Sequence, residues 1–79
     1  MSERLHELVR FLILGLVDHP DAVEIHVRDG AQLLFEVRVA PEDQGRVIGR
    51  EGRTIRSLRT LVQTAARKEG TRASLELVD

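Results

Sequence analysis

The 79-residue chain has no cysteine, tryptophan or tyrosine, and only two phenylalanines and two prolines. Without cysteine there is no disulfide, no thiolate nucleophile and no cysteine-based metal site, which fits a reducing, cytoplasmic setting. Phe11 and Phe35 both fall at positions that read as core-facing. The aromatic platforms on which some nucleic-acid-binding folds stack bases are therefore not expected. The longest apolar run, residues 11–17, is broken by Gly15 and is far too short to span a bilayer. No membrane attachment and no signal peptide are expected. His6, His19 and His26 lie on different elements, so no metal site is expected. Ser2, Ser57 and Ser74 lack a histidine and carboxylate at useful positions. The pairs Glu42/Asp43 and Glu3/Glu7 suit helix N-termini. No catalytic residue, no cofactor and no enzymatic activity are expected, and a chain this short leaves little room for a deep pocket beside its core.

What is present is charge, unevenly placed. The formal net charge is −1. Residues 1–45 carry nine acids against four bases, a net of −5, whereas residues 46–79 carry eight bases against four acids, a net of +4. Five of those eight bases lie between Arg46 and Arg59. The local field, not the total, governs attraction of a polyanion. A plain charge run of this kind is usually a solvated helix face, so its context matters.

Ser2 suits a helix cap, and Leu5, Leu8, Val9, Leu12 and Leu16 recur at helical spacing, predicting a helix that ends near Asp18 before Pro20. Val23, Ile25 and Val27 alternate with polar residues, as do Leu33, Phe35, Val37 and Val39, with the turn signal Asp29-Gly30 between them. Pro41, Glu42 and Asp43 predict the start of a short helix that stops at Gly49, where glycine takes a left-handed terminal conformation. A longer helix is predicted from about Arg53 to Glu69, with Ile55, Leu58, Val62 and Ala65 on one face and Leu61 on its flank. Ala73, Leu75 and Leu77 mark a last strand. The expected fold is α+β, in the order α-β-β-α-α-β, with a three-stranded sheet and its helices on one face. One domain, residues 1–79, is expected. Glu24, His26, Arg28, Glu36, Arg38 and Glu76 would line the open face of the sheet.

Between the two later helices lies Val47-Ile48-Gly49-Arg50-Glu51-Gly52-Arg53-Thr54-Ile55. A Gly-x-x-Gly turn lets bare backbone approach a phosphate, because no Cβ intervenes. The unpaired N–H groups opening the next helix favour an anion. A KH domain uses this arrangement to clamp the backbone of about four nucleotides of single-stranded nucleic acid. Gly45, inside the short helix, costs about 1 kcal/mol relative to alanine and implies either close packing or close approach of a ligand. Glu51 places a negative charge inside the turn, which Arg46, Arg50 and Arg53 are expected to outweigh.

The element order, together with residues 39–55, resembles the KhpA family of small bacterial proteins, each a type II KH domain, over the whole chain. The core KH motif would span about residues 33–78. The resemblance implies a cytoplasmic protein that binds single-stranded RNA and acts as an RNA chaperone or post-transcriptional regulator. It also implies a homodimer, or pairing with a larger KH protein of the Jag (KhpB) type. Carried onto this sequence, the gripping loop is Gly49, Arg50, Glu51 and Gly52, with Ile48 and Ile55 as an aliphatic floor for bases. Arg46, Arg53 and Arg56 flank it, and about Gly70 to Leu75 forms the facing wall. The alternative reading is a protein-interaction module that dimerises or recruits the larger partner, with RNA binding secondary.

Overall fold

The computed structural model describes residues 3–78. Helix α1 (Glu3–Leu14) is followed by strands β1 (Glu24–Arg28) and β2 (Leu33–Arg38), helices α2 (Gln44–Ile48) and α3 (Arg53–Lys68), and strand β3 (Ala73–Leu77). Single 3₁₀ turns at Pro20–Ala22, Pro41–Asp43 and Arg50–Gly52 connect them. The fold is the expected α+β arrangement, α-β-β-α-α-β. The sheet order is β1-β2-β3, with β2 antiparallel to β1 and parallel to β3. A parallel pair needs a long crossover, and the α2–α3 segment supplies it.

Alternation along the strands sets the layers. Phe35, Val37, Ala73 and Leu75 are buried, while their neighbours Arg38 and Glu76 are exposed. Leu5, Val9 and Ile13 from α1 and Ile55, Leu58, Val62 and Ala66 from α3 close over the inner face. On α3 the buried stripe runs through Ala66, with Ala65 only half-buried at its margin.

Several boundaries differ from expectation. The predicted Ser2 cap lies outside the described residues. Helix α1 ends at Leu14 rather than near Asp18. The reason is a long-range competitor: Asp18 and His19 donate their backbone N–H groups to the two carboxylate oxygens of Asp43, each at 3.0 Å. Those donors are satisfied outside the helix. Phe11, expected in the core, is instead 75% exposed, because α1 buries only one narrow stripe. The Asp29-Gly30 pair does not form a two-residue turn. β1 ends at Arg28 and β2 begins at Leu33, so residues 29–32 form the loop, and Gly30 is not among the glycines of positive φ. The helix expected from Pro41 begins as a 3₁₀ turn and becomes α-helical only at Gln44.

Candidate nucleic-acid interface

The Gly49–Gly52 loop is built from three unusual backbone conformations in four residues. Gly49 has φ +78° and ψ 170°, a region open essentially to glycine alone, not the left-handed helical cap expected from the sequence. A Cβ on Gly49 would also lie 2.2 Å from Oγ1 of Thr54. Glycine is thus required twice, by torsion and by space. Gly52 is left-handed at φ +73°, ψ 16°, yet a Cβ there would meet only Nη1 of Arg56, at 3.4 Å. Its requirement is torsional, and its surroundings stay open. Glu51 is the remaining left-handed residue, φ 57°. Its carbonyl accepts a hydrogen bond from Nη1 of Arg56 at 3.1 Å, which braces the turn from the first helical layer of α3.

The loop sets the start of α3, and no side chain caps that helix. Arg50 and Arg53 are exposed beside it. The arginines do not act as one block. Arg46 pairs with Asp18 at 2.8 Å, both side chains largely exposed, and Arg53 pairs with Glu51 at 3.2 Å. Exposed pairs of this kind hold little energy, so a phosphate can displace them. Arg50 has no carboxylate within salt-bridge distance among the described residues. It is the free cation at the tip of the turn.

The aliphatic floor is divided. Ile48 is 41% exposed beside the loop, whereas Ile55 is 7% exposed and packs in the core. Gly45 has nothing within 4 Å of a built Cβ, so packing within the chain does not explain it and its face is open. The segment expected as the facing wall, about Gly70 to Leu75, runs into β3, which lies at one edge of the sheet. Leu33 donates to the carbonyl of Arg72, and Val78 donates to that of Val37. In a parallel ladder this register turns the backbone groups of Ala73, Leu75 and Leu77 towards the free edge. One of those carbonyls, that of Leu75, accepts a hydrogen bond from Nε of Arg59 at 3.1 Å. Arg59 therefore ties α3 to the strand, a contact that sequence reading missed, because it depends on strand order.

Sequence reading also missed the role of Asp43. It is buried, and it links the α1–β1 connection to the start of α2, six residues before the loop. Burial alone would raise its pKa. The two backbone N–H donors, with the charges of His19 and Arg46, outweigh that and hold the carboxyl below its usual range.

The model of the KhpA/KhpB KH domain matches residues 6–77. The chain belongs to this family. It is 48% identical over 73 residues to the RNA-binding protein KhpA of Caldanaerobacter subterraneus subsp. tengcongensis, covering 91% of this chain and 97% of that protein. It is 44% identical over 73 residues to the RNA-binding protein KhpA of Halalkalibacterium halodurans, covering 91% and 96% respectively. Among solved structures, Aquifex aeolicus Era is similar in fold, with a TM-score of 0.64 at 18% identity. That likeness spans 94% of this chain and 29% of Era. No described helix is long and apolar enough to cross a membrane.

Proposed function

We propose that this protein grips single-stranded RNA through the Gly49–Gly52 loop and serves in the cytoplasm as an RNA chaperone or post-transcriptional regulator, not as an enzyme. The observation that carries this reading is the contrast between the glycines. Gly49 is crowded by Thr54, while a Cβ on Gly52, at the start of α3 that no side chain caps, would meet only the far end of the Arg56 side chain, at 3.4 Å. Phosphates of about four nucleotides would lie against that backbone. Arg50 would supply direct attraction, Arg53 would exchange Glu51 for a phosphate, and Arg46 would do the same from Asp18. Arg56 would hold Glu51 and the turn in place. Ile48 offers the apolar surface on which a base rests, and Ile55 supports it from the core. The names of the relatives, which are those of RNA-binding proteins, support the same ligand.

Binding of a short unstructured RNA as a function of salt tests this. A loop that neutralises three or four phosphates gives a log–log slope of about −2 to −3. Replacing Arg50 and Glu51 by aspartates should remove most binding and leave the circular dichroism unchanged. Equal binding by both proteins would place the interface elsewhere.

A second reading has its own support. Phe11 on α1 is 75% exposed and Leu61 on α3 is 49% exposed, apolar surface that a protein partner could cover. In this reading the helices form a homodimer, or receive a larger Jag (KhpB)-type KH partner, and RNA binding is secondary. Sedimentation at micromolar concentration, with Leu61→Asp beside the wild type, separates the two. A strict monomer in both would remove the homodimer.

A further inference from the structure

We propose that β1 pairs with β1 of a second copy of this chain, antiparallel and centred on His26, joining two three-stranded sheets into one. The two edges of the sheet differ. At β3 the outward carbonyl of Leu75 already accepts from Arg59. At β1 the outward groups are free. Leu33 and Val37 exchange their hydrogen bonds with the β3 side, so the backbone groups of Leu34, Glu36 and Arg38 turn to β1, where they meet Arg28, His26 and Glu24. The N–H and C=O groups of Ile25 and Val27 therefore point away from the sheet. Among the described residues no hydrogen bond reaches them. Natural edges are commonly blunted by proline, lysine or a bulge. β1 has none of these and pairs with β2 residue for residue. Val27 lies opposite the buried Phe35, yet it is 41% exposed.

The strand Glu24-Ile25-His26-Val27-Arg28 is complementary to its own reverse, the property a two-fold contact needs. With Ile25 opposite Val27 of the second copy, each such pair exchanges both main-chain hydrogen bonds and brings two apolar side chains together on the core side. The same register sets Glu24 against Arg28 of the second copy, twice, and His26 against itself. Opposite charges placed so stabilise a strand pair. Arg28 holds Glu36 through Nε, at 3.0 Å, which leaves its Nη groups for the second copy's carboxylate. The neighbouring registers are poorer. Centring on Val27 opposes Arg28 to His26 and Ile25 to Asp29, and centring on Ile25 leaves Arg28 opposite Ala22. One strand pair covers little area, so the contact is weak and depends on concentration. It leaves the loop and the β3 edge of both copies free. It is independent of the RNA reading and distinct from the helix contact considered above.

Disulfide trapping tests the register, and a chain without native cysteine makes each result unambiguous. The His26 side chain is 68% exposed, so His26→Cys leaves the fold intact. In the proposed pair its Cα lies about 4.5 Å from that of its copy, within disulfide reach. Position 24 lies about 13 Å along the strand from its own copy, beyond that reach. In a glutathione buffer at high micromolar protein, His26→Cys should dimerise at least about tenfold faster than Glu24→Cys, Arg28→Cys or Arg38→Cys alone. Mixing Glu24→Cys with Arg28→Cys should restore fast trapping. In the His26→Cys background, Arg28→Glu should slow trapping about fivefold by opposing like charges. Adding Glu24→Arg should reverse that loss, and Leu61→Asp should change nothing. Trapping of His26→Cys no faster than of Arg38→Cys would overturn the proposal, as would a mixture no faster than its components or a charge swap without rescue. A rate that collapses with Leu61→Asp would also overturn it, by moving the contact to the helices.

Discussion

The open face of the sheet and the edge formed by the loop and α3 both display arginines, but they spend them differently. On the sheet, Arg28 is held by Glu36 at 3.0 Å and His26 lies 3.6 Å from Glu24. Three acids, Glu24, Glu36 and Glu76, stand there against Arg28 and Arg38. At the loop edge, among the described residues, Arg50 has no carboxylate within salt-bridge distance, Arg56 and Arg59 donate to backbone carbonyls, Arg53 is held by Glu51 of the same turn and Arg46 by Asp18. An arginine that donates to a carbonyl keeps its full charge uncancelled. Charge balance and pairing together separate the two surfaces: acids outnumber arginines on the sheet, and arginines outnumber acids at the loop edge.

The largest effect expected is on the loop's architecture. Gly49→Ala should cost about 2 to 4 kcal/mol, because it adds a forbidden torsion to a clash with Thr54. Gly52→Ala should cost only about 1 to 2 kcal/mol, the ordinary left-handed penalty. Urea melts of the two variants check this. A smaller loss for Gly49→Ala than for Gly52→Ala would mean that the roles are reversed.

Next in size is RNA affinity. The aspartate pair at positions 50 and 51 should weaken binding by roughly tenfold or more at moderate salt, since it reverses the free cation. Fluorescence anisotropy with a labelled RNA measures it.

A smaller effect concerns stability against pH. The Asp43 carboxyl is depressed in the folded state, so its contribution is fully present above the unfolded carboxylate pKa, about 3.9. It is lost as pH falls through the lower folded value. Asp43→Asn should lower the melting temperature by a few degrees near neutrality. Its deficit relative to wild type should shrink in strong acid. A deficit independent of pH would show that shape, not charge, matters at this position.

Most of the fold was legible because each element follows local rules. The 3.6-residue stripe of α3, the alternation of β2 and β3, and the break at Gly49 need no distant partner. The loop was legible for the same reason, since its glycines are adjacent to the helix they start. What failed was non-local. The early end of α1 depends on Asp43, 25 residues beyond Asp18. The exposure of Phe11 depends on how much of α1 the sheet and α3 cover, which periodicity alone overstates. The anchoring of Arg59 follows from β3 lying at an edge. The arginines near the loop were countable in sequence, but their pairing with Asp18 and Glu51 was not.

A matched pair of variants decides the central claim. Arg50→Asp/Glu51→Asp at the loop and Arg28→Gln/Arg38→Gln on the sheet each lower the net charge by two. Salt titrations of RNA binding would be run on both beside wild type. If the loop edge is the interface, the loop variant loses most of its affinity and its slope flattens. The sheet variant stays within about twofold of wild type with an unchanged slope. Equal losses in the two variants would contradict the account, because RNA would then be reading total charge and not the Gly49–Gly52 turn.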